Sequence, residues 1–489
     1  MRRASSRRDW PQRKGLRAQR GQALIYGIFV LVGGLASLFF LFNSGQLQRE
    51  KSKLVTTTDA VAYSAGLMHA RAFNYTAYTN RALMANEVAI AQLASASSWT
   101  QFIEMHGETA ASASWACETY YNRAVAGLMD KDYPALCMGL TYAYEYGALT
   151  YANQGVQALA EVAELAAEAS KTALKTAQLA MTGMMPVQRN EVMNDVARAN
   201  YANDGTVAVD LVPLADGYLN FEGKPFMQNY GSDERERFKQ ATVGAANLDS
   251  FVRERRWKST AWAGMCTGTN GIKFDYMRRA GGTELVGYDE WRALDTNSMW
   301  TYHPDSRHKC VSEEEVVAYG GQKAKSSSTQ DDGGGPGAGD NPQATEDANN
   351  SGNDWSYSGL PNFFDLSDKA LAYVPENGGK GGADSKKLDP KVRFAVRVTR
   401  ASDQTATSDA RSAIRGSKHL NAYAGDPARG VYAGVSASEV FFMRPDGQAR
   451  RDGNSELASL FNPYWQAHLV DASGDARTAQ LGLQGVAAP

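Results

Sequence analysis

The chain has 489 residues, 51 basic and 53 acidic side chains, a formal net charge of −2 and four cysteines. This near-neutral balance excludes a broadly basic surface and, with it, nucleic-acid binding as the main task. The length allows two or three domains, and a single stretch apolar enough to span a bilayer argues against a channel or transporter.

Residues 1–20 carry Arg2, Arg3, Arg7, Arg8, Arg13, Lys14, Arg17 and Arg20 against one acid, Asp9. They read as a basic cytoplasmic tail in contact with anionic lipid. Residues 21–43 follow as a transmembrane helix. From Ala23 to Phe42 no charge occurs, and about 20 helical residues suffice for the ~30 Å hydrocarbon core. Gly33 and Gly34 interrupt the run, as small residues commonly do within a bilayer. With Arg17 and Arg20 at its mouth, the positive-inside rule predicts a cytoplasmic amino terminus and a periplasmic or extracellular location beyond Asn43. A cleaved secretory signal is the rival reading. Its apolar core is usually shorter and ends in a small-x-small site, whereas this run closes in Phe39-Phe40-Leu41-Phe42. The stretch is therefore read as a retained anchor.

Residues 44–203 are predicted to form a helical stalk or bundle. No proline occurs between Pro11 and Pro134, so nothing forces a break in a helix leaving the membrane. Leu47, Leu54, Val61, Leu67, Leu83, Val88, Ile90 and Leu93 recur at helical spacing. If continuous to Met105, the helix would reach about 90 Å beyond the bilayer, with Gly66 as a place for a bend. Asp130 to Pro134 reads as a turn. An alanine-rich helical region then runs from Gly139 to Gly183, with a further helix from Gln188 to Tyr201. The simplest arrangement is an antiparallel hairpin.

Cys117, Cys137, Cys266 and Cys310 all lie beyond the anchor, in what is expected to be an oxidising compartment. Pairing of Cys117 with Cys137 and of Cys266 with Cys310 is the parsimonious choice among three connectivities. A zinc site using His303, His308 and Cys310 is the alternative, although their spacing matches no standard ligand pattern.

Residues 204–322 read as a mixed α/β region. Strand candidates are Val207 to Leu214 and Glu284 to Tyr288, with a helix near Asp249 to Trp257. Residues 323–354, rich in glycine, serine and aspartate, are too poor in apolar surface to offset ordering entropy and read as a disordered loop. Their glycine cluster lacks the flanking strand and Gly-Lys-Ser/Thr of a phosphate loop. Residues 355–489 read as β-rich. Lys391 to Arg400 alternates with period two, Gly430 to Arg444 and Tyr464 to Val470 are further strands, and Trp355, Tyr357, Phe363 and Phe364 are expected to nucleate this region's core. The fold class is α+β.

The segment Arg20-Gly21-Gln22-Ala23-Leu24, the single span, and the following helix with Thr58-Asp59-Ala60-Val61-Ala62-Tyr63-Ser64-Ala65 resemble the Tad-domain (TadE/TadG-like) components of the tight-adherence, or Flp (type IVc), pilus system. Ser438 to Pro445 and Leu460 to Gln466 also look like parts of long TadG-like proteins. The first match covers roughly residues 20–70; the middle of the chain is unmatched. The resemblance implies a bacterial inner-membrane component whose partners are other Tad/Flp pilus subunits, inner-membrane assembly proteins and membrane lipid, with a helix–helix oligomer as one form of contact. Gly21 and Gln22 would flank the cut of a processed prepilin. However, Tyr26 stands where a filament pilin carries glutamate, which favours an uncleaved membrane protein over a cleaved minor pilin or adhesin at a filament tip. The metal-binding Asp-x-Ser-x-Ser of a von Willebrand A domain has a near match at Asp471-Ala472-Ser473-Gly474-Asp475, read here as a terminal turn.

No catalytic residue, cofactor site or metal site emerges from the motifs. The histidines His69, His106, His303, His308, His419 and His468 are scattered, with His69 and His106 on predicted helices as surface or packing residues. No nucleophile elbow or His-Glu-x-x-His pair occurs. Tyr142, Tyr144, Tyr146 and Tyr151 are assigned to core packing, with a contact surface as the alternative. The expected role is contact rather than catalysis; an anchored periplasmic hydrolase is the competing class and predicts a polar cleft of convergent carboxylates or histidines.

Overall fold

In the computed structural model, residues 22–112, 132–202, 205, 207–327, 334–351, 354–374, 389–401, 431–444 and 456–483 are described. One helix, α1 (Gln22–Ser112), runs for 91 residues, about 135 Å at 1.5 Å per residue. It does not break at Gly66. A Cβ at that position would lie 2.8 Å from Ser438 Oγ and 3.4 Å from the Ala467 side chain. The glycine is where two strands close on the helix, not where the helix bends.

A short helix, α2 (Asp132–Glu145), leads through Gly147, at φ 72°, into the 53-residue α3 (Ala148–Asn200). A left-handed backbone favours glycine there. Helix α3 runs antiparallel to α1: Thr100 meets Asn153, Glu87 meets Lys171, Asn80 meets Gln178 and His69 meets Arg189.

Three sheets surround this hairpin. The first orders β1 (Val207–Val209), β10 (Val392–Ala401), β11 (Val431–Phe442) and β12 (Trp465–Val470), with β2 (Ala215–Asp216) also pairing with β10, all antiparallel. The period-two pattern of β10 buries Val392, Phe394, Val396 and Val398 against α1 and α3. The second pairs β3 (Met227–Tyr230) with β9 (Phe363–Leu366). The third runs β4 (Arg255–Gly268), β5 (Gly271–Val286), β6 (Glu290–Pro304), β7 (Cys310–Lys325) and β8 (Trp355–Ser356), antiparallel except for the β7–β8 pair. Four further α-helices and a 3-10 turn at Ser232–Arg235 complete the described fold: α4 (Glu236–Ala246), α5 (Pro342–Ser351), α6 (Asp368–Leu371) and α7 (Gly474–Leu483).

Helix α1 contributes to all three main apolar clusters. Leu54, Val61, Ala62 and Ala65 meet Phe394, Val396 and Val398; Phe73 meets Phe226, Leu460 and Trp465; Leu83 and Ile90 meet Phe238, Trp291 and Phe363. Burying a large aliphatic or aromatic side chain is worth about 1.5–3 kcal/mol, so the helix is held along most of its length beyond the apolar span.

Several expectations require correction. The helical region is not a stalk standing apart from a head; from Leu54 onward α1 is the spine on which the sheets are built. The segments 204–322 and 355–489 interleave, since β1 and β2 pair with β10, β3 pairs with β9 and β7 pairs with β8. Trp355, Tyr357 and Phe363 accordingly join a core with Trp291 and Phe238 rather than one private to the C-terminal region. Asp249 to Arg253 forms a turn, and strand β4 begins at Arg255.

The stretch 323–354 is also more ordered than its composition suggests. Strand β7 runs to Lys325, and α5 buries Ala344, Thr345 and Ala348. Glu314 accepts the backbone N–H groups of Gln343 and Ala344 at the start of α5, and Asn341 donates to Arg278 O and Thr296 Oγ1. Gly321 leaves β7 without a side chain where the Ala348 carbonyl comes against it. Small residues and buried hydrogen bonds replace the missing aliphatic surface.

Candidate functional site

Two features bear on function: an apolar length of α1 with no protein cover, and a polar seam buried between α1 and α3. Among the described residues one helix is long and apolar enough to cross a membrane. Its most apolar 18-residue window has mean hydropathy 2.4 and no buried residue. Leu24, Phe29, Leu31, Leu38 and Phe42 are all exposed, and Gly27, Gly33 and Gly34 face open space. So large an unbroken apolar surface is unstable in water and matched to hydrocarbon. Arg17, Arg20 and Gly21 lie outside the described residues; Gln22 is the first residue of α1, and Tyr26 is exposed on it.

The Thr58–Ala65 motif lies just past the span and works as a packing surface. Val61, Ala62 and Ala65 are buried, and Thr58 turns its hydroxyl back to Leu54 O at 2.7 Å. A Cβ on Gly434 of β11 would lie 2.5 Å from Thr58 Oγ1. Further along α1, Asn74 pairs with both backbone groups of Trp465, donating to its carbonyl at 2.9 Å and accepting from its N–H at 3.0 Å. Asn80 donates to the Leu460 carbonyl at 2.7 Å. A Cβ on Gly66 would lie 2.8 Å from Ser438 Oγ, so the N-terminal and C-terminal stretches singled out in the sequence are in direct contact; Glu439, the next residue of β11, is buried and paired with Lys391 and Arg393 at 2.9 Å. Burial raises the Glu439 carboxyl, but its two cations outweigh this and hold it below the usual range.

The polar seam has three main stations. At the first, Arg189 lies 3.1 Å from His69 Nε2 and 2.7 Å from Asp216, while His69 stacks on Tyr218 at 5.0 Å. Burial, then the Arg189 charge, holds the His69 imidazole well below its usual range, so it is neutral. At the second, Gln178 donates to Thr79 and Asn80 at 2.8 Å. At the third, Lys171 sits 2.6 Å from both Glu87 and Glu168, while Trp291 Nε1 and the Tyr357 hydroxyl donate to Glu87 Oε2 at 2.8 and 2.6 Å. Burial pushes the Glu87 carboxyl up, against the opposing pull of Lys171, Tyr357 and Trp291. Each station joins the helices to a sheet or loop, so the seam sets their register.

Lys171 is spanned by residues far apart in sequence, and no motif announces it; the only sequence signal is the run of Glu and Lys on an alanine-rich helix. The other candidate groups do not converge. His303 lies near Glu313 at 3.7 Å and His468 near Glu439 at 3.5 Å, at separate places on the fold. His106 is half-buried against Phe102, and burial, then Arg279, lowers its pKa; His419 lies outside the described residues. Cys310 is bonded to Cys266 with Cα atoms 5.8 Å apart, so its thiolate is not open to a zinc ion. Cys137 is also disulfide-bonded, while Cys117 lies outside the described residues. Asp471 is fully exposed and precedes α7, where Ser473 Oγ accepts the Ala476 N–H; this is a helix start. Tyr142, Tyr146 and Tyr151 are exposed, which overturns the core-packing assignment for these three, whereas Tyr144 is half-buried against Gly107 of α1. Among the described residues no group of three or more His, Cys, Asp or Glu is placed to hold a metal ion.

Open clefts are found among the described residues. One of about 450 Å³ is lined by Asp59, Ser436, Asp471 and Arg477; another of about 620 Å³ lies between α1 and α3, where alanines alternate with Asn86, Gln92 and Ser170 and the turn at Asp249 and Phe251 closes one side. Neither reaches the buried seam stations built on His69 or Gln178. Comparison with protein-family models, with curated proteins and with solved structures gave no match.

Proposed function

We propose that this chain is a single-pass inner-membrane protein of a Tad-type pilus assembly system, acting through contacts rather than catalysis. Its N-terminal tail is cytoplasmic and its bulk periplasmic or extracellular. The observation that carries this reading is the continuity of α1, whose bare apolar turns pass without a break into turns buried within all three cores. A head clamped to its own membrane helix moves as one body with the span, as suits a component that transmits position between the membrane and partners beyond it. The Arg20–Leu24 and Thr58–Ala65 segments support the Tad assignment, and Tyr26 supports an unprocessed anchor over a filament subunit.

Alkaline phosphatase and fluorescent-protein fusions after Ala110 test the topology; activity of the phosphatase fusion is expected, and a fluorescent cytoplasmic readout refutes the orientation. Intact-mass measurement of the N-terminus is expected to exclude a mature chain beginning at Gln22, whereas finding that chain assigns the protein to the processed minor pilins.

A further inference from the structure

Helix α3 presents an outer face unlike a solvated one. Between Tyr151 and Val187 the exposed positions include one charged residue, Glu161. A helix surface left in water normally carries charge opposite its buried stripe. Starting at Gly155 and stepping alternately by four and three residues, every position to Val187 is exposed and uncharged. This is the 3.5-residue repeat of a coiled-coil seam, and it extends over 32 residues of step, about 48 Å. Leu159, Val162, Leu165, Leu179, Met184 and Val187, on or beside the seam, are between 46% and 73% exposed.

We infer that this face pairs in parallel with the same face of a second copy of the chain. At roughly 100 Å² for each large aliphatic side chain, the six and the alanines between them offer on the order of 600 Å² per chain. Two copies would then bury about 1,200 Å², the lower edge of stable interfaces, whereas a monomer rarely leaves more than a few hundred Å² of contiguous apolar surface bare. A lipid surface fits poorly, because interfacial helices carry Lys and Arg along their polar edge and this face has none exposed.

The parallel sense rests on the membrane anchoring proposed above: two chains held in one bilayer by α1 present α3 at the same height and in the same direction. In that register the alanines at 166, 169, 173 and 180 face their own counterparts and allow close approach. Leu165 of one copy lies beside Ser170 of the other, at the edge of the cleft between α1 and α3 that Ala163 and Ala166 line; Leu179 falls beside Met184. Confinement of both copies to the membrane raises their effective concentration.

The test uses the full-length chain, purified in neutral detergent and in nanodiscs, with mass measured by light scattering. Two copies per particle are expected. Ala169→Glu with Ala173→Glu, both at exposed helix positions, is expected to halve that mass while the circular dichroism spectrum stays unchanged. A single-copy wild type, or an unchanged mass in a folded double variant, overturns the pairing. Gly155→Cys and Val187→Cys, made separately, report direction without a destabilising charge. Each is expected to cross-link to itself on mild oxidation. Cross-linking only when the two variants are mixed overturns the parallel arrangement, and cross-linking in neither overturns the seam. Cell fractionation separates this from the anchoring: a membrane-bound single copy overturns the pairing alone, and a soluble pair sensitive to the double substitution overturns the anchoring alone.

Discussion

Glu164→Gln should make the protein more stable at high pH and leave it unchanged at low pH. Glu164 lies on α3 with 1% of its surface exposed, and its Oε1 has no hydrogen-bond partner among the described residues. Burial pushes its carboxyl up to about 7, with Glu168 adding to the rise and Lys171 opposing it. A rise from 4.5 to about 7 corresponds to roughly 3 kcal/mol at 1.36 kcal/mol per unit. The open cleft beside Ala163 and Ala167 screens the site and reduces this to about 2 kcal/mol. Below pH ~4.5 the carboxyl is protonated whether the chain is folded or unfolded, and it carries no penalty. Between there and pH ~7 the unfolded chain loses its proton first, so stability falls as pH rises, and the full loss is in place above the folded value. Glutamine does not titrate and removes that slope. Denaturant unfolding of the full chain in detergent, followed by circular dichroism at pH 4.5 and pH 8, reads the difference directly. The expected result is midpoints within about 0.4 kcal/mol of each other at pH 4.5, where half of the unfolded carboxyls are ionised, and an advantage of about 2 kcal/mol for Glu164→Gln at pH 8. A variant less stable than wild type at pH 8 refutes the reasoning, because it would mean that the ionised carboxylate is favourably paired.

Lys171→Met leaves Glu87 buried without its cation and should cost about 3–5 kcal/mol, with much of the loss recovered in Lys171→Met/Glu87→Gln; denaturation midpoints of the single and double variants check the coupling. Gly320→Ala places a Cβ 2.5 Å from the Phe102 backbone nitrogen of α1 and should cost about 2–3 kcal/mol, whereas Gly139→Ala, with nothing within 4 Å, should be neutral or stabilising by up to ~1 kcal/mol; thermal melts of the two variants give the comparison. Removing Cys266–Cys310, which spans 44 residues, should lower stability by about 4 kcal/mol, measured as the shift in midpoint between the native protein and Cys266→Ser/Cys310→Ser.

Sequence alone determined what depends on near neighbours. The apolar run from Ala23 to Phe42, the apolar residues recurring at helical spacing beyond it and the absence of proline up to Pro134 mark a long helix leaving the span, because backbone hydrogen bonding four residues apart and hydropathy are local properties. The alternation in Lys391 to Arg400 likewise marks β10, since one face of that strand is buried and the other is polar. The pairing of Cys266 with Cys310 was the simplest of three connectivities. Local pattern failed where burial is two-sided or depends on distant partners. Strand β6 buries Glu290, Arg292, Asp295, Thr296, Asn297 and Ser298, because α5 covers it and α1 crosses it. No alternation survives, and its charges look like those of a solvated segment. Arg292 bonds to Glu290, Asp295 bonds to Arg255, and α5 is held by Glu314, so polar contacts do what apolar spacing does elsewhere. The Glu and Lys residues of α3 posed the same problem: spacing places Lys171 on a helix, but only the fold brings Glu87, Trp291 and Tyr357 to it. Gly66 shows the difference at one position. In sequence a glycine in a long helix suggests a bend, and only the approach of Ser438 and Ala467, some 370 to 400 residues away, makes it a point of contact in an unbroken one.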